Sequence, residues 1–342
     1  MLAALLFSLT QSAPALTPLE LWKTGRRVEA VALLEREAGT SSEARVQLAR
    51  WELELLHYEA ALKHLDGLGP AWDKLRAELY YRSHRYAEAL PRLDPADPEH
   101  CLWIVDALEA LERFDEADAA LARAAQLRGA QDPAVRCQQG RAFARDGRWQ
   151  EARPCFEDAW TADPLDAQAL FGLGQSLLRC GEEARGLELL ERHRKLLPLL
   201  DRLQFAQQSL ALEPLSAPNH AAIGDVEREL GRHARAMASY RDALALAQRE
   251  QLVPIALRAA RCLAEDLADL AGALELLTAA EQRVSDVRLP VRAGDLLAKA
   301  GRGAEAAAAY RRALALRPND AQIQARLAKL GGAASQPAGG NR

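Results

Sequence analysis

Strand-forming residues are scarce in this chain. Val, Ile and Thr are few beside Ala and Leu, which argues against a sheet and for an all-helical fold. Excess charge is also missing: 44 Lys and Arg against 48 Asp and Glu leave a net charge of −4. That balance gives no reason to expect a nucleic acid partner, which would need a strongly basic face. Cysteines are few and unpatterned. Cys101, Cys137, Cys155, Cys180 and Cys262 form no C-x-x-C pair and lie near no histidine pair at metal spacing. Five thiols cannot all pair within one chain, and small buried helix residues are the expected role. Cys137 and Cys155, on the two helices of one hairpin, are the pair placed for a disulfide.

Catalytic signatures are absent as well. There is no H-E-x-x-H, no G-x-S-x-G and no phosphate-cradling G-x-x-x-x-G-K. Gly172-Leu173-Gly174 falls inside a helical stretch rather than after a strand, which removes it as a dinucleotide fingerprint. His57 and His64 are spaced to share a helix face but make only half of a metal site. No catalytic residue, cofactor or metal is therefore expected, and the chain reads as a non-enzyme.

What the chain does contain is one short phrase repeated. Gly140 recurs as Gly174, Gly147 as Gly181 and Pro164 as Pro198, 34 residues apart, and the glycine pair returns as Gly224/Gly231 and Gly294/Gly301. A fixed period of this size marks a stacked repeat array. In the type unit, 133–166, Gly140 sits in a first helix, Asp146-Gly147-Arg148 is the turn, and Ala152, Phe156 and Ala159 share one face of a second helix. Asp163-Pro164 stops that helix. The turn recurs as Gly25-Arg26, His84-Arg85, Glu112-Arg113, Gly231-Arg232 and Gly301-Arg302. Glycine there accepts a left-handed backbone, and a following glutamate complements the next helix dipole.

These units resemble tetratricopeptide repeats, with the last one (Gly294, Gly301, Ala306, Tyr310, Ala313, Pro318) the fullest copy. The resemblance implies an all-α fold, a right-handed α-solenoid of stacked antiparallel helix pairs, about eight or nine units long. Such an array need not split into globular domains, since each unit touches only its neighbours.

Taken in order, residues 1–15 read as a signal peptide, with an apolar run too short to span a bilayer and an Ala13-Pro14-Ala15 cleavage site. A secreted or periplasmic location follows, or a cytoplasmic one if the segment is a first helix. Thr17-Pro18-Leu19-Glu20 has the spelling of a helix start. An N-terminal array spans 16–200. The period breaks over 201–216, read as a linking helix or a bend, either a continuation past Pro198 or an inserted helix. A C-terminal array with a capping helix spans 217–330, and 331–342 is a Gly/Ala/Ser/Pro-rich tail expected to be disordered. The basic run Arg192–Lys195 is placed near a helix C-terminus, and Trp149 at the turn is taken as a packing residue.

In the family that the chain resembles, the first helices line the concave face, and partners are proteins or peptides. Carried onto this chain, the lining includes Asp106, Glu109, Arg141, Arg145, Phe171, Gln175 and Arg179, then Asp225 and Arg228. Arg141, Arg145 and Arg179 make the middle basic, suited to an extended acidic peptide. The Lys/Asn clamp by which some members hold chaperone tails is missing, since Asn219, Asn319 and Asn341 are not placed mid-helix. The favoured reading is a non-catalytic scaffold that holds a peptide or protein segment in its groove. Its rivals are an assembly or regulatory subunit that docks onto a larger complex, and an enzyme with an all-helical cleft.

Overall fold

Thr17 opens the fold by a reciprocal cap. Its hydroxyl accepts the Glu20 N–H, and the Glu20 carboxylate takes the Thr17 N–H at 2.8 Å. The structure is a computed structural model that describes residues 16–39 and 41–333. The proposed signal peptide, 1–15, lies outside the described residues. Helices then follow in pairs: α1 (Pro18–Lys23) with α2 (Arg27–Ala38), and α3 (Ser42–Glu54) with α4 (Tyr58–Leu65). The third pair is α5 (Asp73–Arg82) with the one-turn α6 (Tyr86–Ala89), followed by α7 (His100–Ala110) with α8 (Phe114–Arg128). Next come α9 (Pro133–Arg145) with α10 (Trp149–Ala162), and α11 (Ala167–Arg179) with the long α12 (Glu183–Leu212). The remaining pairs are α13 (Ala217–Glu229) with α14 (His233–Leu246), α15 (Arg249–Arg261) with α16 (Leu270–Arg283), and α17 (Arg288–Lys299) with α18 (Gly303–Leu316). The last helix is α19 (Ala321–Ala333). Among the described residues there is no strand, and the fold is an all-α solenoid.

Eight of the nine hairpins turn in the same way, the α15–α16 pair being the exception. The second residue after the first helix has a left-handed backbone, at φ +75° in Gly147 and +77° in Gly231. The N–H of the next residue then reaches back five positions, Arg148 to the Phe143 carbonyl at 2.8 Å and Arg302 to the Leu297 carbonyl at 2.9 Å. This ending satisfies the carbonyls a helix terminus leaves open. Leu56, His84 and Glu112 hold the same left-handed position without being glycine, and Ala268 has a left-handed backbone in the α15–α16 turn. The arginine that follows the turn then binds the glutamate three residues on, as in Arg113–Glu116 at 2.7 Å and Arg302–Glu305 at 2.6 Å. Those glutamates therefore sit below the ordinary carboxylate range, held there first by their arginine hydrogen bonds.

Packing within a pair depends on small residues facing a ring. A Cβ placed on Gly140 would lie 2.9 Å from the Phe156 ring, one on Gly224 2.7 Å from Tyr240, and one on Gly294 2.6 Å from Tyr310. The three rings are buried, each contributing on the order of 1.5–3 kcal/mol of apolar burial. Phe156 also packs against Gly172 of the next pair, so one ring holds two neighbouring hairpins together.

The described chain divides into two compact units, one ending at Asp201 and one beginning at Arg202. α12 does not stop at Pro198. Residues 201–212 continue it, and 213–216 form the turn into α13. Burial explains the difference from Pro164: Leu196 before Pro198 and Leu203 and Ala206 beyond it are all buried, whereas Asp166 after Pro164 caps a new helix with its side chain. The basic run Arg192–Lys195 therefore lies mid-helix, and its dipole rationale is corrected. Arg194 and Lys195 pair with Glu191 instead. Of the tail read from 331, residues 331–333 belong to α19 and the rest lies outside the described residues. Cys137 and Cys155 are free thiols, not a disulfide, and of the five only Cys180 is not buried. Burial pushes the Cys137 thiol up to about 12.

Candidate functional site: an aromatic groove in the first unit

The second helices of three successive hairpins begin with an aromatic residue: Tyr86, Phe114 and Trp149. Each directly follows the turn arginine, so the shared turn geometry delivers each ring to the same place in its repeat. All three line one cavity of about 1070 Å³. Tyr81 of α5, Phe156 of α10 and Phe171 of α11 add further rings, and Gln168, Gln175 and His84 add polar groups. Phe171 is 45% exposed and Phe114 40%. Tyr81 is fixed by stacking on Trp103, with centroids 4.7 Å apart and planes 9° from parallel.

The charges in this lining are already matched. Arg141 donates to Asp106 at 2.9 Å and pairs with Glu109 at 2.5 Å. Arg145 pairs with Asp118 at 2.9 Å and Asp146 at 3.1 Å, and its guanidinium lies 4.9 Å from the Phe114 ring centre. Asp106 is a junction, accepting also from the Tyr81 hydroxyl at 2.8 Å and the Gln138 amide at 2.7 Å. Burial raises the Glu109 carboxyl above its ordinary range, with Arg141 pulling the other way. Burial and then the Asp106 charge raise the Tyr81 phenol.

The same junction recurs in the second unit. Asp225 accepts from the Tyr240 hydroxyl at 2.7 Å and from Arg258 at 2.9 Å, and Asp295 from Tyr310 at 2.8 Å and Arg326 at 3.0 Å. In each case the arginine comes from the first helix of the following repeat, or from the final helix. An aspartate on one first helix thus fastens the next.

Of the residues placed in the binding face from sequence, Arg141, Arg145, Phe171 and Gln175 come together in this cavity. Arg179 lies outside its lining, with its guanidinium 5.6 Å from the Trp149 ring centre. Asp225 and Arg228 belong to the second unit and are engaged there, Arg228 with Asp266. The basic character expected of the middle is consumed for Arg141 and Arg145 by carboxylates of α7, α8 and the α9–α10 turn. Tyr81, Tyr86, Phe114 and Trp149 were missed as lining, although the recurrence of an aromatic after the turn arginine was legible. His57 is the cap before α4 and lies 2.7 Å from Glu52, while His64, within α4, stands in a cluster with Glu35 and Glu52.

Residues 137–199 match a model of the tetratricopeptide repeat, and residues 217–250 match a second one. No curated protein is significantly similar to the chain. Similar solved structures include MamA MSR-1 C2, 19% identical over 53% of this chain and 98% of that one, with a TM-score of 0.31. Another is the APC/C hetero-tetramer Cut9-Hcn1, 13% identical over 92% of this chain and 88% of that one, with a TM-score of 0.32. A further MamA crystal structure is 15% identical over 56% of this chain and 94% of that one, at a TM-score of 0.30. The two matched stretches are tetratricopeptide repeats, and both show the glycine-to-ring packing and the left-handed turn described above.

Proposed function

We propose that the first unit holds an extended segment of a partner protein in the aromatic groove between α5 and α11. Tetratricopeptide repeats are protein-interaction modules, and the chain is a scaffold of that kind. Six rings, Tyr81, Tyr86, Phe114, Trp149, Phe156 and Phe171, line one cavity, and this observation carries the reading. At about 1070 Å³ the cavity lies at the upper end of small-molecule pockets, which leaves room for several side chains of a peptide. With Asp106 and Glu109 balancing Arg141 and Arg145, recognition rests on apolar or aromatic anchors rather than on an acidic ligand. Gln168 and Gln175 supply hydrogen bonds suited to a peptide backbone.

The test is selection of peptides from a random display library on the purified chain, followed by calorimetry on the selected sequences. Enrichment of hydrophobic or aromatic residues is expected. Phe171→Ala is expected to weaken binding by about 1–2 kcal/mol, roughly tenfold, as for a central aromatic contact. Selected peptides rich in Asp and Glu, whose affinity ignores Phe171→Ala, would refute the assignment.

A further inference from the structure

The position that carries Tyr86, Phe114 and Trp149 in the first unit is occupied in the second by His233, the first residue of α14. Its Nδ1 is buried with no hydrogen-bond partner among the described residues. An imidazole nitrogen buried in that way is unsatisfied.

The neighbouring backbone is also irregular. α15 does not end in the usual turn but runs into a five-residue π-helical segment, Cys262–Asp266, closed by the Leu267 N–H on the Cys262 carbonyl at 3.0 Å. Insertions of this kind recur at functional sites because they re-aim side chains. Here the widened turn directs two donors at the histidine. A ring nitrogen of His233, the Cys262 sulfur and a carboxylate oxygen of Asp266 all lie within 4.8 Å of one another. Cys262 is fully buried and its sulfur is 3.8 Å from the His233 carbonyl. Arg228 grips Asp266 through Nε and Nη2, which orients the carboxylate as an outer-shell partner does for a metal ligand.

The geometry points to a Zn²⁺ site made by His233, Cys262 and Asp266. Imidazole, thiolate and carboxylate are the donor types zinc takes, at about 2.0–2.3 Å. Tetrahedral donors at those lengths stand about 3.3–3.8 Å apart, so these three need to close by about an ångström, within the reach of side-chain rotation. As the Zn–S bond forms, the Cys262 thiol releases its proton to solvent, and a His233 ring nitrogen supplies the imidazole donor. The fourth position is open to water from the side of His233 and Asp266, both only partly buried. A bound ion would clamp the start of α14 to the segment between α15 and α16. Sequence offered little hint, because the three residues are 29 and 4 apart and match no zinc spacing.

The experiment uses the full chain, stripped with chelator and titrated with zinc chloride against a chromogenic competitor, then with cobalt chloride as a spectroscopic probe. One ion per chain is expected, with a thiolate-to-cobalt charge-transfer band and a raised melting temperature. Cys262→Ser should abolish the band, and His233→Ala should weaken zinc binding on the order of a hundredfold. Cys180→Ser should leave both unchanged. His64→Ala serves as control for the Glu35–Glu52–His64 cluster and should also change neither. Melting of each variant in chelator verifies that it folds; His233 is only half-buried, so its variant remains informative if Cys262→Ser is unstable. Absence of zinc binding, or a cobalt band and affinity indifferent to both changes, would overturn the site.

Discussion

Arg141 looks like a ligand-binding cation in the sequence, yet its surroundings assign it to holding the first unit together. Arg141→Met keeps the stem and removes the charge. The Arg141 side chain is 33% exposed, Glu109 12% and Asp106 28%. Exposed ion pairs contribute about 0–1 kcal/mol and breaking a buried one costs about 3–5. This half-buried pair falls between, at about 2–3 kcal/mol. Asp106 keeps the Tyr81 hydroxyl and the Gln138 amide, so the orphaned charge is that of Glu109. Its carboxyl is already raised by burial, and removing Arg141 raises it further. A carboxyl whose folded pKa exceeds its unfolded one takes up a proton on folding, so its stability contribution grows as pH falls through the folded value. The penalty of Arg141→Met should therefore shrink between pH 7 and pH 5, and adding Glu109→Gln at pH 7 should recover about 1–2 kcal/mol. Urea unfolding of the four chains of this cycle, at both pH values, gives the comparison. A cost below about 0.5 kcal/mol, or one that does not change with pH, would show that the pairing does not hold the fold. It also follows that charge reversal at Arg141 cannot report on ligand binding, whereas Arg179, exposed over Trp149, can.

Other expectations are as direct. Glu112 has φ +58° and makes no side-chain hydrogen bond among the described residues; Glu112→Gly should stabilise by about 0.5–1 kcal/mol, read as a higher urea midpoint. Gly224→Ala should destabilise by about 1–2 kcal/mol, because the new methyl meets the Tyr240 ring at 2.7 Å and overpacking outweighs the better helix propensity of Ala. The phenol tied to Asp225 at 2.7 Å prevents that ring from swinging away. A thiol reagent should modify Cys180 quickly in the native chain and all five cysteines only after unfolding; four or fewer thiols in denaturant without reductant would reveal a disulfide. Arg179→Glu should leave stability unchanged within about 0.5 kcal/mol, as measured by thermal melting.

The repeat was legible because its determinants are local. Gly140 opposite Phe156, and Gly147 after the first helix, sit at fixed offsets that hold whatever the neighbours are. Turns spelled with Leu56 or Ala268 were hidden, since nothing in those side chains announces a left-handed backbone. The path past Pro198 was left between two readings because its resolution depends on where Leu203 and Ala206 are buried, a tertiary matter. The site was legible in part. First-helix periodicity found Arg141, Arg145, Phe171 and Gln175, but not that the two guanidiniums are already matched, because Asp106 lies 35 residues from Arg141 and Asp118 27 from Arg145. Trp149 was read as packing because one aromatic at a turn carries no message; three in register do. The grouping of His233 with Cys262 depends on a π turn that no residue pattern foretells.

The turn bonds that reach back only five residues have a kinetic meaning. Each hairpin closes on contacts near in sequence, so its formation requires no long loop to be shut, and arrays of such elements fold quickly from several starting points. Glycine turns at Gly147, Gly181, Gly231 and Gly301 close without backbone strain, whereas those at Leu56, His84 and Glu112 do so against it. Protection from amide hydrogen exchange should accordingly fade first in the three hairpins from α3 to α8, leaving the α9–α11 stack as the last of these to open.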